Sequence, residues 1–494
     1  MSIYYNLVAG NPAEGENSFT TAAGEFSIAS PTHVEEALQA ATGAFPSYSQ
    51  CSLQKRIEFL RAITEHLTKA KADILLAYQQ ESSLPEGRAE GEFGRTIGQI
   101  KTFVDLLQHG EYLHASIERP NEGATLRKML HPIGPVAVFG ASNFPLAFST
   151  AGGDTISALA AGCPVIVKAH PYHPLTSVLV ANAIQAAVNE NFLPKGVFSH
   201  LQSDQHELGQ ALVAHPLLKG VGFTGSFKGG KALYDLAQKR EHPIPVFAEM
   251  GSVNPIFIFP SALEQATLVE QLGDSISLGG GQFCTNPGVL VAINTTENLD
   301  KFEASLSAYL MAKDAQHMVH QNILSQFETK LNALKSSLNV YQGKQAALAV
   351  CNAAAFIENE TLKEEVFGPY SLLVRCTNPH EAIQVLEALD GQLTITFLGK
   401  KNDQADIKSF LLLAQQKAGR ILFEGVPTGV AVTQTMTHGG PFPASTDERF
   451  TAVGTDAIYR WLRPVSYQDC PNELLPTALQ DENPWGIPQK ITAN

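Results

Sequence analysis

The chain has 494 residues, 44% hydrophobic and 17% charged, with a formal net charge of −14 from 48 acidic and 34 basic side chains. That balance excludes a disordered chain, the length exceeds what one hydrophobic core organises, and the acidic surface argues against nucleic acid and anionic lipid as partners. Six cysteines stand at unrelated spacings with no CxxC pair, so neither a disulfide framework nor a zinc site is indicated, and no metal is expected.

The N-terminal stretch MSIYYNLVAGN has no basic region followed by an apolar one, and no apolar run reaches the ~18 residues of a membrane helix. A cytoplasmic protein without a membrane segment is the expectation. Helical periodicity dominates the first hundred residues. Thr32 followed by Glu35 makes a capping-box pair opening a helix with Val34, Ala37, Leu38 and Ala41 on one face. A longer helix is predicted through IEFLRAITEHLTKAKADILLA, residues 57–77. From Pro135 short apolar runs alternate with helical stretches: VAVFG, PVIVK, GVGFTG and VFAEMG. That alternation predicts a parallel sheet with right-handed crossovers. A second series, GVLVAI, SLLVRC, LTITFLG and GRILFEG, predicts another α/β unit, with the join between Gly251 and Pro260. Residues 113–133 and the tail beyond about 453 fit neither unit and suit a ribbon that pairs with another subunit.

The stretch LGGGQFCTNPG surrounds Cys284 with bare backbone. Glycines at 279–281 let amides approach a substrate, Phe283 supplies an apolar wall, and a helix or turn terminus is expected to lower the thiol pKa. The competing reading is a buried cysteine beside a common turn, and for the other five cysteines that reading is preferred. Asn143 in FGASNFP follows the strand VAVFG at the edge where α/β sheets bind ligands, so its carboxamide can serve an oxyanion; a turn asparagine is the plainer alternative. Glu249 ends VFAEMG in apolar company, which raises a carboxyl pKa and suits a base; a solvent-facing strand-end glutamate is equally open. No GxGxxG occurs, but FTGSFKGG (Thr224, Gly225, Ser226, Gly230) links a strand to a helix whose amides can receive a pyrophosphate. Lys168, at the end of PVIVK, can reach ribose or phosphate, or be a solvated lysine.

Taken in order, SNFP, PVIVK, FTGS, EMG, GGGQFC and EEVFGP resemble the aldehyde dehydrogenase superfamily over nearly the whole chain. The resemblance implies an α/β fold of two Rossmann-like parallel-sheet domains plus a bridging oligomerisation ribbon. Residues 1–112 and 134–252 would form the cofactor domain, 253–452 the catalytic domain, and 113–133 with 453–494 the ribbon and tail. It implies Cys284 as nucleophile, Glu249 as base, and Asn143 with the Cys284 amide as oxyanion hole. Glu365 would hold the nicotinamide ribose with Phe367 behind it, and a homodimer or homotetramer is implied. The glycines would then open space for substrate and a mobile nicotinamide.

The match is closest to an NADP-preferring branch similar to α-ketoglutaric semialdehyde dehydrogenase and a bacterial fatty aldehyde dehydrogenase. In that branch EMGSVNP replaces ELGGKSP, and His438-Gly439-Gly440 replaces aromatic-Gly-Gly. Pro171 stands where NAD-using members often carry a glutamate, which removes a charge that would repel a 2′-phosphate. Lys168, His170 and Lys228 would supply donors, so NADP is the expected cofactor and NAD remains possible. Oxidation of α-ketoglutaric semialdehyde is expected, with a medium- or long-chain aliphatic aldehyde as the alternative. A CoA-acylating relative does not need Glu249, and a non-catalytic member would not need all of Cys284, Asn143 and Glu249. The tunnel would be lined by Phe144, Phe148, Phe283 and His438, with Phe442 nearby. A carboxylate-bearing substrate needs a cation at the far end; Arg449 is a candidate, though an ion pair with Asp447 or Glu448 is the stronger reading of it.

Overall fold

In the computed structural model, which describes residues 3–120, 122–293 and 297–493, the apolar runs after Pro135 lie side by side. A seven-stranded sheet runs in the order Val246–Glu249, Gly220–Thr224, Val136–Phe139, Val165–Lys168, Phe198–Leu201, Asn6–Val8, Asn11–Ala13. The first five are mutually parallel and the last two pair antiparallel. Val136–Phe139 is buried along its whole length, as a strand covered by helices on both faces must be.

The second seven-stranded sheet has the order Asn339–Gln342, Ala347–Asn352, Tyr370–Cys376, Val289–Ile293, Ile256–Ile258, Gln392–Leu398, Ala418–Leu422. Only its first pair is antiparallel. Its core includes the ring cluster of Phe257, Phe259, Phe397 and Phe410. A separate four-stranded sheet joins Leu462–Gln468, Leu126–Pro132, Ser116–Arg119 and Lys490–Ala493.

Several local expectations change. The first hundred residues open on short strands between Ile3 and Ser27 before the first helix. That helix spans Pro31–Ser49 and is capped by Ser30, not Thr32. Pro31 has no N–H to satisfy and its fixed φ suits the first helical position, which moves the start upstream. The Ser30 hydroxyl then accepts from the His33 amide at 3.4 Å, and the His33 ring accepts from the Ser30 amide at 3.1 Å. The long helix predicted over 57–77 is two, Leu53–Lys69 and Lys71–Ser82, parted at Ala70 after a last turn carrying His66 and Lys69. Phe198–Leu201, Ile256–Ile258 and Ala347–Asn352 are strands too short or too mixed to stand out in the sequence.

The functional residues gather between the carboxyl edge of the first sheet and the amino edge of the second. Gln392, opening its strand there, bridges the two: its Oε1 accepts from the Ser252 hydroxyl at 2.8 Å and the Val253 amide at 2.9 Å.

Candidate active site

Cys284 lies in a turn closed by the Asn286 amide donating to the Phe283 carbonyl at 3.0 Å. Asn254, buried and in a left-handed conformation, donates to the Cys284 carbonyl at 2.8 Å and the Asn286 carbonyl at 2.9 Å. The thiol therefore sits on a fixed turn and not at a helix N-terminus. Burial pushes its pKa up to about 12, and Glu365 and Glu249 add to that while Arg95 opposes it. The expected lowering by local backbone dipoles is thus reversed by desolvation. The thiol's own amide also acts to lower its pKa.

The glycine run is also required by the backbone itself. Gly279, Gly280 and Gly281 all have positive φ, between +59° and +67°. A Cβ on Gly281 would lie 2.1 Å from the Gly368 carbonyl oxygen. The run forms a left-handed bend packed against the loop that carries Glu365 and Phe367, and Gly281 also lines the small cavity beside Glu365.

Asn143 is 8% exposed and its Nδ2 donates to the Gln282 carbonyl at 2.9 Å, which ties it to the cysteine turn. Its loop is held from below by the helix Glu86–His109. Glu92 Oε1 accepts from the Leu146 and Ala147 amides at 2.8 and 2.9 Å, and its Oε2 accepts from the Tyr78 hydroxyl at 2.7 Å. Arg88 donates to the Asn143 carbonyl at 2.8 Å, with its guanidinium 4.6 Å from both the Phe144 and Phe283 ring centres.

Glu249 ends its strand, bridged to Ser445, and is 8% exposed. Its Oε2 is buried without a hydrogen-bond partner. Burial pushes its pKa up to about 8; Arg460 opposes this and Asp154 adds to it. Those two form a buried ion pair at 2.7 Å. Gly439 stands against the carboxylate, where an added Cβ would lie 3.6 Å from Glu249 Oε1.

His438 is 2% exposed and its Nε2 lies 3.4 Å from Cys284 Sγ. Burial, with Arg420 and Arg95 adding, pulls its pKa down to about 3, so a neutral imidazole faces the thiol. Phe283, Phe144, Phe148 and His438 form a continuous ring series, with successive centres 5.4, 5.3 and 6.1 Å apart. The candidate tunnel residues thus stand together beside the thiol. Arg449 does not join them: it is exposed and paired with Asp447 at 2.5 Å.

The candidate cofactor residues sort into two groups. Glu365 lies against Gly251, where a Cβ would come 2.9 Å from its Oε2, and shares a small cavity with Ser252, Phe283 and Phe367. Burial raises its pKa to about 7, against Lys330 and a bond from the Ser252 amide. At the other end Ser226 caps the helix Phe227–Gln238, accepting from the Gly229 amide, two residues beyond the strand end at Thr224. A Cβ on Gly225 would meet the Phe223 ring at 2.7 Å and one on Gly230 the Met250 side chain at 2.6 Å, so both glycines close the strand-to-helix corner. Lys168 is half-buried, donates to the Ser203 carbonyl at 2.9 Å, and has its pKa drawn down to about 8 by burial, with Asp204 opposing. The His170 ring packs 4.6 Å from Tyr172 and 5.3 Å from His173, and burial holds it well below the usual imidazole range. Exposed helix-start amides, a lysine and a carboxylate beside a phenylalanine fit a phosphate-bearing dinucleotide.

Arg88, Glu92, Arg95, Asn254 and Arg420 were not anticipated as site residues. The first three lie at i, i+4 and i+7 on one helix, a spacing that puts them on a single face. Among the described residues no helix is long and apolar enough to cross a membrane.

Comparison with known proteins gives a consistent result. The model of the aldehyde dehydrogenase family matches residues 10–440. The chain is 44% identical over 502 residues to α-ketoglutaric semialdehyde dehydrogenase 2 of Azospirillum brasilense, covering 98% of this chain and 95% of that one. It is 40% identical over 486 residues to α-ketoglutaric semialdehyde dehydrogenase of Acinetobacter baylyi, covering 94% and 92%. Among solved structures, methylmalonate-semialdehyde dehydrogenase of Oceanimonas doudoroffii superposes with a TM-score of 0.80 at 19% identity, covering 95% of this chain and 98% of that one. The NAD-bound 1-pyrroline-5-carboxylate dehydrogenase of Thermus superposes with a TM-score of 0.81 at 18% identity, covering 94% and 92%.

Proposed function

The chain belongs to the aldehyde dehydrogenase family and is an oxidoreductase acting on aldehydes, and within that family we propose that it converts α-ketoglutaric semialdehyde to 2-oxoglutarate with NADP. The observation that carries the substrate is the identity of 44% and 40%, over almost the full chain, with two enzymes bearing that activity in their names.

Cys284 Sγ gives its proton to water or to the ionised form of Glu249 and bonds to the aldehyde carbon, while the C=O π pair moves onto the oxygen. Asn143 Nδ2 has one N–H committed to Gln282, leaving the other, with the Cys284 amide, to stabilise the oxyanion. A bound nicotinamide supplies the hydride acceptor. The resulting thioester on Cys284 is then hydrolysed by water from which Glu249 takes the proton. With a pKa of about 8 only a minor fraction of Glu249 is ionised at neutral pH, but that carboxylate is a stronger base than an ordinary glutamate, and its unpartnered Oε2 is free to accept. His438, neutral, shares a hydrogen bond with the thiol through Nε2 and fixes the direction of the sulfur. Glu365 would hold the nicotinamide ribose, with Phe367 lining the same cavity. The amides at the start of Phe227–Gln238, with Ser226 and Lys168, would take phosphate and ribose. Pro171 carries no charge to oppose a 2′-phosphate.

A second copy of the chain is the proposed partner, as homodimer or homotetramer. The four-stranded sheet has two outer strands, Leu462–Gln468 and Lys490–Ala493, that can be extended. A cytoplasmic location suits its six free cysteines.

The test is kcat/KM for α-ketoglutaric semialdehyde and for pentanal, each with NADP and with NAD, read as nicotinamide reduction. A preference for the oxo acid of about a hundredfold is expected. Preference for pentanal would move the enzyme to the aliphatic-aldehyde alternative.

A further inference from the structure

Two guanidinium groups whose charge bears on the thiol lack a counter-ion among the described residues. Arg95 rises half-buried from the helix Glu86–His109; its Nη1 donates to the Val430 carbonyl and its Nε is buried without a partner. Its guanidinium carbon lies 5.5 Å from the centre of the Phe148 ring, the ring that stands 6.1 Å from His438. Arg420 comes from the strand Ala418–Leu422 of the second sheet. Its Nη1 and Nη2 donate to the Gly429 and Pro427 carbonyls at 3.1 and 2.7 Å, and its Nε too is buried and unpartnered. Both arginines thus grip the loop 427–430 from different elements, and both charges act on Cys284 and His438.

No carboxylate pairs with either group among the described residues. The acid that interacts with Arg95, Glu92, has its oxygens committed to Leu146, Ala147 and Tyr78. A buried cation satisfied only by carbonyls on part of its edge is costly, unless an anion arrives to complete it. A guanidinium presents parallel N–H groups that match a carboxylate.

We infer that Arg95 and Arg420 bind the carboxylate of the substrate and set the preference for an oxo-acid semialdehyde over a plain aldehyde. This rests on the reading that Cys284 oxidises an α-keto acid semialdehyde. The aromatic series Phe283, Phe144, Phe148 encloses the carbon chain, and the two arginines receive its charged end. Arg449, the cation considered from sequence, is excluded from this part by its surface pairing.

The experiment measures kcat/KM for α-ketoglutaric semialdehyde and pentanal in wild type, Arg95→Met, Arg420→Met and Arg95→Lys. The ratio of oxo acid to pentanal is expected to fall about 30- to 100-fold in each Met variant, mostly through KM, with Arg95→Lys intermediate. A parallel fall for both aldehydes, or an unchanged ratio, overturns the inference and leaves the arginines as pins of the loop. Glutarate serves as an independent probe, read as protection of Cys284 from iodoacetamide. Protection in wild type and its loss in Arg95→Met is expected; no protection in wild type, or equal protection in both, also overturns it. A wild type that glutarate protects but that turns over pentanal as well as the oxo acid keeps the anion site and rejects the substrate reading.

Discussion

Replacing Glu249 by Gln keeps the shape of the side chain and removes its charge. In the folded protein burial raises this carboxyl from 4.5 to about 8. Ionising it therefore costs on the order of 5 kcal/mol more in the fold than in the unfolded chain. At pH 7, where the folded group is mostly protonated and the unfolded one is not, the penalty is on the order of 3 kcal/mol. The folded state holds the extra proton between pH 4.5 and about 8, so this group makes stability fall as pH rises through that window. Glu249→Gln removes the fall. Calorimetry should show variant and wild type melting together near pH 4.5 and the variant higher by on the order of 3 °C at pH 8. Activity should move the other way. Wild-type turnover should rise with pH through about 8, and the variant should lose about 100- to 10,000-fold and that pH limb with it. A variant no more stable than wild type at pH 8, or one that keeps the limb, would refute the reasoning that a desolvated Glu249 is the base.

Pro171→Glu introduces a carboxylate beside the proposed 2′-phosphate position. Its NADP-to-NAD ratio of kcat/KM should fall at least about tenfold, by like-charge repulsion; a variant with full NADP selectivity would show that this residue is not the discriminator. Gly281→Ala sets a Cβ 2.1 Å from the Gly368 oxygen at a φ of +67°, so it should lower Tm and change the rate at which iodoacetamide alkylates Cys284. Gly94→Ala is the contrast: it meets nothing within 4 Å inside a helix and should add about 0.5–1 kcal/mol, read as a raised urea midpoint.

The residues easiest to see in the sequence were those with a local signature. Cys284 follows a glycine run, while Glu249 and Asn143 stand at or just past the ends of apolar strands, and parallel strands carry their ligands at that edge. What the local signature did not carry was the environment. The thiol has its own amide to lower its pKa, but solvent exclusion by distant segments outweighs it and drives the thiol to about 12. His438, 154 residues further on, reads as one more aromatic wall until the fold brings its Nε2 to the sulfur. Arg88, Glu92 and Arg95 read as ordinary charges of GRAEGEFGR, because only packing turns that helix face inward. Arg420 has no neighbour in sequence to mark it at all.

Those missed residues alter the electrostatics of the site. Near neutral pH burial leaves the thiol, Glu249 and His438 uncharged, and it holds Glu365 near its midpoint at about 7. The full charges that bear on Cys284 are then chiefly the guanidiniums of Arg95 and Arg420. Such a resting site is cationic where the whole protein is acidic, at a formal −14. A neutral aldehyde gains little from that arrangement. An aldehyde carrying a carboxylate at its far end gains attraction on entry and supplies the missing counter-ion. Once the thiol loses its proton to a base, Arg95 also favours the thiolate over the thiol. The same guanidiniums would thus serve the acid group and the nucleophile in turn, with a bound carboxylate screening part of their effect on the thiol.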